Sequence, residues 1–120
     1  MRDFRNFDAW KKAHALTLAI YRLTEDFPST ESFGLVMSMR RCASNIAMRI
    51  AEASGRDDGE PYASGLRSAR GLGVELEYQI LLSRDLRLME EATHDALREQ
   101  IIEVRRMLSG VIRKHSAGPV

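Results

Sequence analysis

Apolar residues recur along this chain at alternating steps of four and three positions, a spacing that places them on one side of an α-helix. The first such series is Ala9, Ala13, Leu16, Ile20, Leu23 and Phe27. Three later segments show the same period, and no segment alternates with a period of two over a useful length. The spacing predicts four helices, over about residues 8–27, 33–54, 60–86 and 90–115, and no sheet.

Short connections between these long helices favour an all-α fold, an antiparallel up-down-up-down four-helix bundle. Pro28 would stop the first helix, and Pro61 suits the first turn of the third. A chain of 120 residues is the size of one domain and can bury roughly two-thirds of its unfolded surface. We therefore predict a single domain over residues 1–120.

The second predicted helix carries two apolar stripes. One consists of Leu35, Met39, Cys42, Ile46 and Ile50, and the other of Val36, Ala43, Ala47 and Ala51. Two stripes on one helix indicate two packing partners, one of which can belong to another subunit.

The charged residues nearly balance, since 18 are basic and 17 acidic. This balance argues against a protein whose whole surface is positive and binds any polyanion. Arginine outnumbers lysine fifteen to three, which favours planar, hydrogen-bonded contacts. Two local clusters are candidates for nucleic-acid binding, and an ordinary solvated helix face is the alternative for each. They are Arg40, Arg41, Arg49 and Arg56 in one cluster, and Arg105, Arg106, Arg113 and Lys114 in the other.

Arg40 and Arg41 open a run of small residues on the second helix. Glu75 and Glu77 flank a seam position of the third helix, which we expect to lie beside the second. We therefore predict an ion pair between one of the two arginines and one of the two glutamates, within the bundle or across a subunit interface. Phosphate binding by the arginines is the alternative, because guanidinium groups suit either role.

Few residues suggest chemistry. Cys42 is the only cysteine, so neither an internal disulfide nor a cysteine zinc cluster can form. Glu91-x-x-His94 matches half of a carboxylate-bridged metal motif but has no twin, so we interpret it as a solvated turn. No local motif joins a nucleophile to a base and an acid. The sequence predicts no metal, no cofactor, no small-molecule substrate and no enzymatic activity.

Two further features bear on packing and location. Gly71 and Gly73 lie inside the third helix, where close approach of a neighbouring helix would offset their cost of roughly 1 kcal/mol each. No segment approaches the roughly 20 apolar residues that a membrane span needs. We therefore expect a cytoplasmic protein without a membrane partner.

Several short motifs together resemble a known family. The segment Trp10-Lys11-Lys12-Ala13 is similar to the motif Trp-x-Lys-Ala with which helix one begins in that family. The segment Arg40-Arg41-Cys42-Ala43 is similar to the family's Arg-Arg-Ala-Ala. Ile50-Ala51-Glu52 and Glu75-Leu76-Glu77 are similar to its Ile-Ala-Glu and Glu-Leu-Glu motifs. The chain thus resembles the small bacterial four-helix-bundle proteins found as open reading frames in intervening sequences of 23S ribosomal RNA genes. The accessory variability determinant of diversity-generating retroelements is similar too. The chain departs from the common family pattern at Ala47, Arg49 and Ala53, where members have Pro, Asn and Gly, and at Leu72.

The resemblance implies a homopentamer and a family without established enzymatic activity. For the retroelement relatives it also implies a basic surface that binds nucleic acid and a reverse transcriptase. Our leading hypothesis is a non-enzymatic oligomeric scaffold of unknown cellular role. The alternative is a nucleic-acid accessory protein that uses the arginine clusters.

Overall fold

The computed structural model describes residues 2–116, apart from the side chains of residues 32 and 33. Its four long helices are α1 (Asp8–Thr24), α2 (Met37–Ala53), α3 (Glu60–Asp85) and α4 (Glu91–His115). Short 3-10 turns occur at Phe4–Asn6 and Ser29–Glu31, and a π turn at Ser32–Val36. Residues 2–116 contain no strand. The structure confirms the predicted all-α four-helix fold.

Each helix packs on two others, in the order α1, α2, α3, α4 and back to α1. Thr17 of α1 donates a hydrogen bond of 3.1 Å to the carbonyl oxygen of Ala43 on α2, and Arg70 of α3 donates one of 3.2 Å to Ser109 Oγ on α4. In this arrangement α1 and α3 occupy opposite corners of the bundle, and so do α2 and α4.

The predicted seam positions form the core. They are buried because the spacing of four and three places them on the inner side of each helix. Alanines alternate with the larger side chains and let the helix backbones come close. The buried set includes Ala9, Ala13, Leu16, Ile20, Met39, Ala43, Ile46, Ile50, Leu66, Leu76, Ile80, Ile101, Val104 and Leu108.

The first helix is shorter than predicted. It ends at Thr24 and not at Phe27, because Pro28 disfavours the helical conformation of the residue before it. The backbone N–H of Phe27 instead bonds to the carbonyl oxygen of Thr24 at 3.2 Å, in a closing turn. The Phe27 side chain is nevertheless buried in the core, so the apolar pattern extends beyond the helix itself.

The second helix also begins differently. Its predicted first residues form the π turn, and regular α-helix starts at Met37. The other helix ends agree with the predicted ones to within one residue, which is the usual spread of helix boundaries.

The third helix is bounded by two residues with positive φ. Gly59 precedes it at φ 84°, and Pro61 follows in its first turn. After its C-terminus Arg87 adopts φ 62°, while the N–H of Leu88 bonds to the carbonyl oxygen of Ser83 at 2.9 Å. This is a Schellman-type ending in which arginine occupies the position that glycine usually takes.

Glycines allow two helix pairs to approach closely. A Cβ on Gly73 would lie 2.9 Å from Cγ of Arg105, and one on Gly65 would lie 2.7 Å from Cβ of Ala53. The predicted close approach at Gly73 is therefore confirmed, and Gly65 is a second close approach that the sequence analysis did not identify. The predicted close approach was wrong for Gly71, because a Cβ added at this residue would meet nothing within 4 Å.

No helix within residues 2–116 is both long enough and apolar enough to cross a membrane.

Candidate contact surfaces

Arg40 is half-buried on α2 and faces α1. Its Nε donates a hydrogen bond of 2.8 Å to Oγ1 of Thr24, and its Nη2 donates one of 3.1 Å to the carbonyl oxygen of Tyr21. The guanidinium carbon also lies 4.8 Å from the centre of the Tyr21 ring. Arg40 therefore satisfies polar groups at the C-terminal end of α1 and is not an open phosphate ligand.

Arg41 is exposed and points to the other side of α2. With Glu75 it lines a groove of about 240 Å³ between α2 and α3, at whose base are Cys42 and Leu72. Within residues 2–116 neither Arg41 nor Glu75 belongs to an ion pair. Neither Arg40 nor Arg41 thus forms the predicted ion pair with Glu75 or Glu77 inside the described part of the chain. An ion pair between these residues across a subunit interface stays a prediction.

Glu77 faces α4 and not α2, since it lies two residues along α3 from Glu75, a rotation of about 200°. Its carboxylate accepts a hydrogen bond of 2.6 Å from Arg105 Nη1 and lies 3.4 Å from Nε of Arg98. Arg105 is therefore paired through Nη1 in the groove between α3 and α4, away from the other members of its predicted cluster, while its buried Nε has no hydrogen-bond partner among the described residues.

The remaining arginines of the α2 cluster also have partners. Arg49 donates a hydrogen bond of 2.7 Å to Ser68 Oγ, and Arg56 forms an ion pair of 2.9 Å with Glu52. Arg40 faces α1, whereas Arg41 and Arg49 lie on the side of α2 that meets α3, and Arg56 lies at the α2–α3 connection. Arg40 is thus separated from the other three, and nucleic-acid binding by this cluster stays a prediction.

The other predicted cluster contributes to a real groove. Arg106, Arg113 and Lys114 line a depression of about 660 Å³ between the C-terminal turns of α4 and the start of α1. Arg106 lies 3.7 Å from a carboxylate oxygen of Glu103, whereas Arg113 and Lys114 form no ion pair within residues 2–116. Apolar side chains form the floor of this depression, namely Phe7, Met107 and Val111.

Charge is segregated along the bundle axis. Because neighbouring helices are antiparallel, residues 2–16, 46–72 and 104–116 share one end of the bundle, which we call the basic end. It carries twelve Lys and Arg against six Asp and Glu, whereas the opposite, acidic end (residues 17–45 and 73–103) carries six against eleven. The nearly neutral net charge therefore conceals two ends of opposite sign, which sequence counting alone did not reveal.

Exposed apolar side chains define a second kind of surface. Seven large ones are at least two-fifths exposed, and none of them belongs to α4 among the described residues. Tyr78 on α3 is 61% exposed and Met48 on α2 is 56% exposed. Among the side chains that the structure describes, the set is Leu18, Tyr21, Met37, Met48, Val74, Tyr78 and Leu86.

Cys42 and His94, the two residues considered for chemistry, both lie inside the protein. Cys42 is a buried free thiol whose Sγ lies 3.3 Å from the carbonyl oxygen of Leu72. Burial, and secondarily the charge of Glu75, raises the pKa of this thiol to about 12. His94 is only 4% exposed and its Nδ1 lies 2.9 Å from a carboxylate oxygen of Asp95. The solvated-turn interpretation of Glu91-x-x-His94 therefore holds for Glu91, which is exposed, but not for His94, whose side chain packs towards α3.

No group of three His, Cys, Asp or Glu side chains within residues 2–116 has an arrangement that could hold a metal ion.

Comparison with known proteins agrees with this architecture. A solved structure from Bacteroides thetaiotaomicron VPI-5482, described as a protein with unknown function from the S23 ribosomal protein family, superposes with a TM-score of 0.78. The match covers 88% of this chain and 98% of that one at 17% sequence identity, so it shows a shared fold. No match is found among curated proteins. The family model described as 23S rRNA-intervening sequence protein matches residues 5–110. This match confirms the resemblance, and the chain belongs to the family of 23S rRNA-intervening sequence proteins.

Proposed function

We propose that this protein is a non-enzymatic scaffold that assembles with copies of itself into a ring, with five copies as the family resemblance suggests. We also propose that it works in the cytoplasm, where its unpaired Cys42 would remain a free thiol.

The uneven distribution of exposed apolar side chains supports self-association. α1, α2 and α3 each expose at least one, whereas the outer surface of α4 presents polar residues such as Asp95, Glu99 and Gln100. Contiguous apolar surface on a small protein usually marks a contact site. A subunit that contacts its neighbours through three helices and leaves the fourth in water would expose apolar groups in this way.

The molar mass in solution tests the proposal. Multi-angle light scattering at micromolar concentration should give about five times the chain mass of 13.6 kDa. Tyr78→Glu should lower that mass, because it places a charge on an exposed apolar contact. Gln100→Glu is the matched control on α4 and should leave the mass unchanged. A wild-type protein that remains a monomer would overturn the proposal.

A second candidate function is nucleic-acid binding at the basic end. The excess of six positive charges there, together with the unpaired Arg113 and Lys114 in the groove beside α1, supports it. In a ring of parallel subunits this excess would repeat around the axis and produce a strong local potential.

Fluorescence anisotropy with labelled RNA and DNA tests this second candidate. Replacing Arg106, Arg113 and Lys114 by alanine should weaken binding and flatten the dependence of affinity on salt, since each lost phosphate contact lowers the slope by about one. Arg22→Ala, Arg84→Ala and Arg87→Ala together are the control, because they remove the same charge from the acidic end and belong to neither predicted cluster. Equal loss in the two triple variants would contradict a site at the basic end.

A further inference from the structure

The depression of about 660 Å³ between the C-terminal turns of α4 and the start of α1 combines an apolar floor with a basic rim. Phe7, Met107 and Val111 form the floor; they pack against the core but are only partly buried. Met107, Val111 and Lys114 follow one another along one side of α4, so the depression extends for about 10 Å along that helix. An apolar lining of this size with a few polar groups is typical of small-molecule sites.

Gly110 keeps the floor of this depression open. It lies inside α4, where glycine is less favourable than alanine. Among the described residues, a Cβ added here would come within 4 Å of only one atom, Nη2 of Arg113 at 3.9 Å. Gly65 and Gly73, in contrast, each face an atom closer than 3 Å on a neighbouring helix. Close helix packing therefore does not account for Gly110, whose lack of a side chain leaves the Arg113 guanidinium beside uncovered apolar surface.

Two cations of the rim are available to a ligand. Arg113 and Lys114 are exposed and form no ion pair within residues 2–116. Arg106, the third cation, lies 3.7 Å from the carboxylate of the glutamate three residues earlier. The acidic member of the lining, Asp8, lies 3.9 Å from Nζ of Lys11. A carboxylate that enters the depression beside α4 would thus meet two cations that no described carboxylate occupies.

We infer that this depression binds a small amphipathic anion, namely an aliphatic carboxylate whose chain lies on the floor and whose head group meets Arg113 and Lys114. The guanidinium of Arg113 can hold a carboxylate through two parallel hydrogen bonds, and Lys114 adds a second, flexible charge. The chain removes the floor residues from water, which a simple inorganic anion cannot do. This inference goes beyond the two functions proposed above, neither of which involves the apolar floor.

Isothermal titration calorimetry with sodium octanoate, below the concentration at which it forms micelles, tests the site in the full chain. We expect saturable binding of one octanoate per chain. Acetate has the head group without the chain, and octanol has the chain without the charge, so each should bind at least roughly tenfold more weakly. The absence of saturable octanoate binding, or equal affinity for octanoate and either of the other two compounds, would overturn the inference.

A substitution at Gly110 locates the bound chain. Gly110→Leu fills the floor and preserves every charge, so it should lower the affinity for octanoate at least about tenfold. Gly71→Leu is the matched control, because a Cβ at Gly71 meets nothing within 4 Å among the described residues. Circular dichroism should show that both variants stay folded, since leucine is a better helix former than glycine. Unchanged affinity in Gly110→Leu, or an equal loss in Gly71→Leu, would contradict binding on this floor.

A double variant tests the head group and does not depend on the folding of Gly110→Leu. Arg113→Gln together with Lys114→Gln should weaken octanoate binding at least about tenfold, because it removes the charge-assisted hydrogen bonds, and should leave octanol binding unchanged. Arg22→Gln together with Arg87→Gln is the control, since it removes two exposed charges from the opposite end of the bundle. Equal weakening by the two double variants would show a general attraction to positive charge and contradict the site.

Discussion

The guanidinium group of Arg40 on α2 is hydrogen-bonded to Oγ1 of Thr24, the last residue of α1, at a distance of 2.8 Å. Thr24 in turn donates to the carbonyl oxygen of Ile20 at 2.7 Å, and both residues are at least half-buried. One arginine thus joins the end of one helix to the first turn of the next. The adjacent Arg41, one residue along the same helix, has no such partner among the described residues.

This difference predicts unequal effects of two alanine substitutions. Arg40→Ala should lower the free energy of unfolding by about 1 to 2 kcal/mol, because it removes hydrogen bonds from a charged donor to partly buried acceptors. Arg41→Ala is the control and should change it by less than about 0.5 kcal/mol. Urea unfolding followed by circular dichroism measures both values. Equal effects would mean that the contacts of Arg40 do not stabilise the fold.

Two glycines of α3 should respond oppositely to alanine. Gly71→Ala should raise the free energy of unfolding by about 0.5 to 1 kcal/mol, because its Cβ enters open space and helix propensity improves. Gly65→Ala should lower it by about 1 to 3 kcal/mol, because its Cβ would lie 2.7 Å from Cβ and 3.3 Å from Cα of Ala53. The same unfolding measurement compares the two, and a stabilising Gly65→Ala would contradict the close packing of α2 on α3.

Arg87 provides a simple route to a more stable protein. Its φ of 62° is strained for any residue with a Cβ, by roughly 1 kcal/mol, and glycine removes that strain. Because its side chain is exposed, Arg87→Gly should raise the unfolding midpoint in thermal denaturation. Arg84→Gly, in the last turn of α3, is the contrasting substitution and should lower the midpoint, because Arg84 has no positive φ for glycine to relieve.

Cys42 should make stability depend on alkaline pH. Its pKa is raised from an ordinary value of 9.0 to about 12 in the folded protein, because the thiol is buried. Between these two values the unfolded chain loses the thiol proton and the folded chain keeps it, so the free energy of unfolding falls as the pH rises above about 9. Below pH 9 both states are protonated and this contribution does not vary with pH.

Two measurements check this prediction. The fall in stability between pH 9 and 11 should be smaller for Cys42→Ala than for the wild type. At pH 8 a thiol reagent should modify Cys42 in the folded protein at least about 100-fold more slowly than in the urea-unfolded chain, because the raised pKa leaves very little thiolate and the group is covered. Equal modification rates would show that the thiol is accessible.

The helices and the core follow from local pattern. Leu16, Ile46 and Leu76 each belong to an apolar series whose period matches an α-helix, and each is buried, because amphipathic helices can remove these side chains from water only by packing together. The end of α1 was predicted less well. The pattern extends to Phe27, and apolar spacing alone does not distinguish a helix from a buried turn that follows it.

The contact surfaces depend on three-dimensional placement that spacing cannot give. Glu75 and Glu77 are close in sequence but face different helices, and Arg105 and Arg106 are adjacent but line different grooves. Which neighbour each side chain meets is decided by how the helices are rotated about their axes. The close approach at Gly65 could have been suspected from the small residues Ala53 and Gly65 near the α2–α3 connection, although no rule of spacing pairs them.

The segregation of charge has a consequence for motion before contact. A body with opposite charges at its two ends experiences a torque in the field of any highly charged surface, so it turns as it approaches. Near a polyanion this protein would arrive with the N-terminal end of α1 and the C-terminal end of α4 leading. Near a polycation it would arrive reversed, with the connection between α3 and α4 in front. Orientation would thus be selected during diffusion, at ionic strengths low enough for the field to extend beyond about 10 Å.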